Sequence, residues 1–330
     1  MTGQPVRVGL IGLGSMGRHH ARVIRTTPGM DLVAVADARG DSFGVAGGLP
    51  VLGDVVALID AGIDAAVVAV PTALHEDVAL ALAAAGVHTM VEKPIADSVV
   101  AAERVAAAFE AADLVGAVGY VERCNPAMLS MRKRIEEGLL GEVYQITTSR
   151  QGPFPSRIAD VGVVKDLATH DVDITPWLAG SPYARITAHM THRSGRDFED
   201  MLVASGRLAN GVIVNHLVNW LSPRKERQCV VTGERGALVA DTLTSDLTFY
   251  ENGTFETEWE ALASFRGVAE GDITRFALEK REPLAVEQAN FRDAIRGDRS
   301  RIVSMSEGVA SLRVIEACLQ SANEGREIRL

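Results

Sequence analysis

Val6-Arg-Val-Gly-Leu-Ile-Gly-Leu-Gly-Ser-Met-Gly-Arg-His-His20 decides the architecture. Val6 to Ile11 is a short, nearly all-apolar run bounded by turn residues, the pattern of a strand buried on both faces. Gly12-x-Gly14-x-x-Gly17 follows at once, and Ser15 to Arg25 then has helical character. A GxGxxG stretch alone is a weak signal, since a flexible turn has the same composition. Between a strand and a helix the glycines acquire separate jobs. Gly12 permits the tight turn, Gly14 lets the backbone approach a pyrophosphate, and Gly17 lets helix pack closely on strand. The backbone amides at the helix start, around Ser15 and Met16, then face the phosphates. Asp37 closes the next apolar strand, Leu32 to Ala36, twenty residues after Gly17. Its carboxylate suits the adenosine ribose hydroxyls and repels a 2′-phosphate, which favours NAD over NADP; Arg39 is the one nearby residue that suits such a phosphate.

Downstream, the same alternation continues. Val51-Leu52 reads as a short strand, Asp54 as the N-cap of a helix over Val55 to Asp60, and Ala65 to Val70 as a strand stopped by Pro71. His75 to Ala85 reads as a helix closed by Gly86, and Val87 to Val91 and Val115 to Gly119 as further strands. Strand and helix alternating at this spacing imply a doubly wound parallel sheet with right-handed crossovers, a Rossmann domain over residues 1–121. Beyond Val121 the pattern changes. Val143 to Ser149, Ala184 to His189, Met201 to Ala204, Val212 to Val218, Arg227 to Thr232, Ala237 to Asp241 and Leu247 to Tyr250 read as strands. Asn252-Gly253 reads as the turn of a hairpin between Thr248-Phe-Tyr250 and Thr254-Phe255. Helices over Leu284 to Arg296 and Ser306 to Asn323 close the chain. Residues 122–330 are therefore expected to form an α+β domain with a mostly antiparallel open sheet, and the whole chain is α/β.

Bulk composition narrows the function. With 330 residues, 47% of them hydrophobic and 23% charged, two globular domains are expected. A net charge of −10 argues against nucleic acid as the main partner. Neither an uninterrupted apolar run long enough for a membrane span nor a secretory leader is expected. Cys124, Cys229 and Cys318 are scattered and odd in number, which suits buried small hydrophobes in a reducing cytoplasm. His19-His20, His189 and His192 lack ligand spacing with cysteines or carboxylates, so no metal is expected.

Three residues carry the candidate chemistry. Lys93 lies just past the carboxyl end of a predicted parallel strand, where ligands of open α/β sheets bind, and its ammonium could stabilise a developing alkoxide. Asp166 and His170 stand four apart, on one face of a helix, where the carboxylate can orient the imidazole and raise its basicity. Asp173 falls close to that face, and Pro176 kinks or ends the helix. Arg150 and Arg157, with Lys165, flank the segment leading to Asp166; they suit either a diphosphate or a solvated loop.

Together, Gly12-Leu-Gly-Ser-Met-Gly17, Pro71-Thr-Ala-Leu-His75, Gly86 to Glu92-Lys93-Pro94 and Asp166-x-x-x-His170-Asp171 resemble the Gfo/Idh/MocA family, the glucose–fructose oxidoreductases and inositol dehydrogenases. The resemblance covers nearly the whole chain and implies an NAD-dependent oxidoreductase acting on a sugar or polyol. It implies that Lys93 and His170 share the proton chemistry, that Asp166 binds a substrate hydroxyl, and that Pro94 is cis. It groups Pro71, Thr72, His75, Glu92 and Lys93 with the cofactor, although His75 also suits a plain helix start. A homodimer or homotetramer is expected from the family. A narrower resemblance lies in Gly119-Tyr-Val-Glu-Arg-Cys-Asn-Pro126 and in Arg150 to Gly162. These look like the subgroup that oxidises the 3-hydroxyl of UDP-N-acetylglucosamine, with Cys124 standing where an aromatic residue is expected. That reading makes Arg150, Arg157, Asp166 and His170 the substrate-binding set. Alternatives are a myo-inositol or free-sugar dehydrogenase, a redox-neutral enzyme with resident NAD, and a nucleotide-sensing regulator without turnover.

Overall fold

The structure is a computed structural model describing residues 4–155, 161–253 and 269–330. In the first half, β1 (Val6–Ile11), α1 (Ser15–Thr26), β2 (Met30–Ala36), β3 (Val51–Leu52), α2 (Val55–Asp60), β4 (Ala65–Val68), α3 (His75–Ala84), β5 (His88–Glu92), α4 (Val99–Ala111) and β6 (Gly116–Gly119) succeed one another. The strands form a parallel sheet in the order β3-β2-β1-β4-β5-β6. The order reverses between β1 and β4, so a crevice opens at the carboxyl ends of those two strands, the usual ligand position in such sheets. All four residues of β4 are buried, which is why its sequence runs apolar without alternation. Asp54 caps α2 through the Ala57 amide as expected, and Ser98 caps α4 through that of Ala101.

The chain divides into two compact units, and the division differs from the expected one at residues 121 and 122. The first unit takes everything up to Cys124 and also Glu282–Arg313; the second takes Asn125–Arg281 and Val314–Leu330. The returning segment contains α7 (Pro283–Ile295), whose Phe291 and Ala294 lie in the same buried cluster as Val8, Leu10, Ile24, Val35 and Met90. An apolar stripe on a helix records that it is covered, not which sheet covers it.

In the second unit, α5 (Pro126–Glu136) starts with Asn125 as N-cap and proline in its first turn. Then come β7 (Val143–Pro153), α6 (Thr169–Ala179), β8 (Tyr183–Thr191), β9 (Met201–Leu208), β10 (Ile213–Asn219), β11 (Leu221–Gly233), β12 (Gly236–Asp241), β13 (Asp246–Gly253) and β14 (Ala269–Phe276). After α8 (Met305–Glu324), β15 (Ile328–Arg329) ends the chain. Among the described residues the sheet order is β14-β13-β12-β11-β7-β10-β9-β8-β15. Only β7 and β10 run parallel; the other neighbours are antiparallel.

The Asn252-Gly253 hairpin does not form where its sequence places it. Both residues stay in β13, paired with Glu270 and Ala269 of β14, just past an irregularity after Tyr250. The Asn252 amide nitrogens donate to the Arg235 and Glu234 carbonyls, which holds the pair in the sheet. Thr254 and Phe255 lie outside the described residues. All three cysteines are buried, and none is in a disulfide. Among the described residues no helix is long and apolar enough to cross a membrane.

Candidate active site

The nucleotide cradle begins where β1 ends. Gly12 has φ +94°, and a Cβ there would sit 2.4 Å from the Ala69 carbonyl oxygen; one on Gly17 would sit 1.9 Å from that of Gly12. Both glycines are therefore required by the backbone itself. Gly14 is different. A Cβ on it would meet no atom within 4 Å, so the fold tolerates a side chain that a ligand's phosphates would not. Among the described residues no side chain caps α1, which leaves the amides around Ser15 and Met16 for an anion. Asp37 is fixed beside this loop: Oδ2 accepts from the Leu13 amide and Oδ1 from the Arg39 amide, each at 2.8 Å. A carboxylate offers about four acceptor positions, so Asp37 keeps capacity for ribose hydroxyls. This cradle fits a dinucleotide with a free 2′-hydroxyl.

Pro71 and Thr72 enter a single 3-10 turn after β4, and His75 opens α3. His75 is not disposed as a cofactor contact. It is 1% exposed, with Nδ1 2.9 Å from the Pro94 carbonyl oxygen and Nε2 3.0 Å from that of Val70. Burial lowers its pKa, the two carbonyls opposing that shift. One ring nitrogen donates to a carbonyl while the other lies against the second, so His75 is packed between the chain after β4 and the chain after β5.

β5 delivers Glu92 and Lys93 to its carboxyl end, and the Lys93–Pro94 peptide is cis. Lys93 is half-buried. Glu92 is 8% exposed and turned inward: Oε1 accepts from His20 Nε2 at 2.8 Å, and Oε2 from the Lys93 amide at 3.1 Å. Burial pushes its carboxyl up, but the His20 hydrogen bond and the charges of His20 and Lys93 outweigh that and hold it below the usual carboxylate range. Glu92 therefore supports Lys93 from within the fold.

The acid/base pair lies in the second unit. α6 is preceded by a π-helical turn, Val164–Ala168, in which the Thr169 amide reaches back to the Val164 carbonyl. Asp166 sits in this turn, 6% exposed, and His170 is half-buried in the first turn of α6. Such turns recur at functional sites because the extra residue re-aims side chains within an otherwise regular helix. Glu199 pins it: its carboxylate accepts from the Val164 amide and its carbonyl from the Val163 amide, each at 3.0 Å. Pro176 is accommodated inside α6, which runs on to Ala179.

Arg150 is not an open phosphate clamp. It projects from β7 into the interior, 5% exposed, and its Nε donates to Asp171 Oδ1 at 2.9 Å. An arginine on a predicted strand end looks solvated in sequence, whereas here the strand continues to Pro153 and carries it under α6. Arg150 fixes the residue next to His170. Arg157 lies outside the described residues. Sequence reasoning also passed over His20 and Gln288. Each stands on the buried stripe of its helix, beside Gly17, Ala21 and Ile24 in α1 or Leu284 and Phe291 in α7, and a polar residue on such a stripe was the available signal.

Comparison with known proteins bears on the whole chain. The oxidoreductase-family profile for the NAD-binding Rossmann fold matches residues 6–120, and that for the family's C-terminal alpha/beta domain matches residues 132–330. Inositol 2-dehydrogenase 2 of Saccharopolyspora erythraea is 31% identical over 97% of this chain and 94% of its own length. UDP-N-acetylglucosamine 3-dehydrogenase of Acidithiobacillus ferrooxidans is 29% identical, with 96% of each chain covered. A solved structure of the latter dehydrogenase matches with a TM-score of 0.83 at 25% identity, over 97% of this chain and 98% of that one. With both profiles matched in order along a chain whose first unit presents the dinucleotide cradle, this protein is an NAD-dependent dehydrogenase of the Gfo/Idh/MocA oxidoreductase family.

Proposed function

We propose that the protein oxidises a secondary hydroxyl of a nucleotide-linked sugar, the 3-hydroxyl of a UDP-N-acetylhexosamine. The observation that carries the chemistry is the head of α6, where a π turn holds Asp166 and α6 opens on His170. NAD, when bound, supplies the hydride acceptor. His170 takes the hydroxyl proton, Asp166 holds a substrate hydroxyl, and the Lys93 ammonium steadies the negative charge on the reacting oxygen. Arg150, through Asp171, keeps the start of α6 in place. The substrate is supported by the stretches Gly119 to Pro126 and Arg150 to Gly162, and by similarity to the Acidithiobacillus ferrooxidans enzyme along nearly the entire chain. Arg157 is the cation proposed to meet the diphosphate.

A second reading, inositol 2-dehydrogenase, is favoured by the internal pairing of Arg150, which removes one of two cations expected at a diphosphate. The 31% identity to the Saccharopolyspora erythraea enzyme favours it as well. NADH formation at 340 nm from NAD, with UDP-N-acetylglucosamine, myo-inositol and glucose offered separately beside a carbonyl trap, decides between them. Turnover of the nucleotide sugar alone supports the first reading; turnover of only the neutral compounds overturns it. His170→Asn should lower kcat by roughly 100-fold or more while NAD affinity is unchanged. An active His170→Asn enzyme would remove the imidazole from the mechanism.

A further inference from the structure

Behind Lys93 the first unit contains a buried chain of polar groups drawn from three elements. Gln288 of α7 places Nε2 3.0 Å from His20 Nδ1 and 3.4 Å from Met90 Sδ, which fixes the plane of the His20 ring. His20 Nε2 donates to Glu92 Oε1 at 2.8 Å. Glu92 in turn accepts from the Lys93 amide, and the Lys93 charge acts on its carboxyl. His20 and Gln288 are fully buried, and 268 residues separate them in sequence.

The other groups around Glu92 oppose its charge or stand off. Glu287 of α7 is 6% exposed, and burial together with the Glu92 charge pushes its carboxyl well above the usual range. His75 of α3 feels Glu92 at a distance but has its ring nitrogens turned to the Pro94 and Val70 carbonyls. β6 presents only Gly119, where a Cβ would lie 3.4 Å from Glu92 Oε2. Among the described residues His20 is thus the one side chain hydrogen-bonded to the Glu92 carboxylate, in a site that would otherwise favour a neutral acid.

We infer that His20, oriented by Gln288, is a positioning residue for the oxidation, keeping Glu92 ionised so that Glu92 anchors Lys93 at the end of β5. The inference rests on the reading of Lys93 given under Proposed function. When Glu92 takes up a proton it ceases to hold the lysine, and turnover falls. In the intact protein His20 keeps that protonation below the working range. Without His20 the carboxylate faces Glu287 with Lys93 alone, and its protonation moves to higher pH.

The test measures kcat, KM and NAD affinity against pH for the full-length protein, with whichever sugar or polyol the assay above shows to be turned over. His20→Ala should lower kcat at neutral pH by roughly tenfold and move its acid limb up by about one pH unit, with NAD affinity within about twofold. His20→Gln, which donates an N–H without titrating, should recover most of the lost kcat. In the protein without ligands, the infrared band of a protonated buried carboxyl should persist to higher pH in His20→Ala, and adding Glu92→Gln should abolish that persistence. If His20→Ala does not fold, Gln288→Leu carries the same prediction, a shift of the acid limb in the same direction. A folded His20→Ala protein with an unmoved pH profile and infrared band overturns the inference. So does a loss in which kcat and NAD affinity fall together and His20→Gln restores neither. Lys93→Met separates the two readings. Full turnover in Lys93→Met overturns the role of Lys93 and this inference with it, whereas an inactive Lys93→Met beside an unmoved His20→Ala overturns the inference alone.

Discussion

His216 shows how single residues of the second unit tie stability to pH. Its Nδ1 lies 2.8 Å from Thr148 Oγ1 and its Nε2 2.7 Å from Tyr183 Oη, and burial lowers its pKa to about 4. An unfolded histidine titrates near about 6.5. Between those values the unfolded chain binds a proton that the folded chain refuses. Stability from this group is therefore full above about pH 6.5 and is lost as pH falls toward about 4, by up to about 3 kcal/mol. His216→Gln cannot titrate, so urea unfolding of that variant should show a flatter dependence over this window, whatever its absolute stability. A slope equal to that of the wild type would assign the loss to other groups. Asp37 makes a residue-scale prediction of a different kind. Replacing it by serine removes the charge that repels a 2′-phosphate while leaving a hydroxyl near the Leu13 amide. The kcat/KM ratio of NADP to NAD should rise by roughly tenfold; an unchanged ratio would mean that Asp37 does not face the ribose.

At the scale of elements, the π turn before α6 depends on a glycine that does not have a left-handed backbone. A Cβ on Gly162 would lie 1.9 Å from Glu199 Oε1, the atom that accepts from the Val164 amide. Gly162→Ala should therefore displace the Glu199 carboxylate and loosen the turn that holds Asp166. We expect a stability loss of about 1–3 kcal/mol and a kcat loss beyond what the folded fraction accounts for, read by denaturation and steady-state kinetics on one preparation. A variant as active as the wild type would show that the turn does not set the geometry of Asp166. This dependence could not be seen in the sequence, where Asp166 and His170 four apart look like an ordinary helical face; an i→i+5 turn leaves no mark in spacing. Strands were legible because burial on both faces writes them as apolar runs, and β1 and β3 begin and end where expected. The glycine loop was legible because its steric needs are local. α4 and α5 were passed over despite caps at Ser98 and Asn125, since alanine-rich and basic stretches show weak stripes. Asn252-Gly253 misled because turn propensity is local, whereas the carbonyls of Glu234 and Arg235 that hold it in the sheet are eighteen and seventeen residues earlier. Arg150 misled for the same reason: its partner, Asp171, is fixed by tertiary structure.

Across the molecule, the first unit is completed by residues that arrive after the second has been started. Phe291 has no exposed surface and lies in one cluster with Val8, Leu10, Ile24 and Met90, residues more than two hundred positions earlier. A buried phenylalanine removes about 150–250 Å² from water, and its truncation to alanine in a closed core costs about 3–5 kcal/mol. Phe291→Ala should therefore destabilise the sheet that carries the dinucleotide loop, although it lies far from that loop in sequence. Hydrogen exchange gives the decisive reading, because it reports each unit separately. Amides of β1, β4 and β5 should exchange faster in Phe291→Ala, while those of β10 and β11 keep their protection. A fragment of residues 1–121, the domain that the sequence pattern alone would delimit, lacks Phe291 and Ala294 and leaves the β1 side of the core uncovered. It should bind a hydrophobic dye and melt without a cooperative transition. A fragment that melts cooperatively and binds NAD as the full chain does would show that α7 merely rests on a core already closed, and the glycine loop would then be a self-sufficient module.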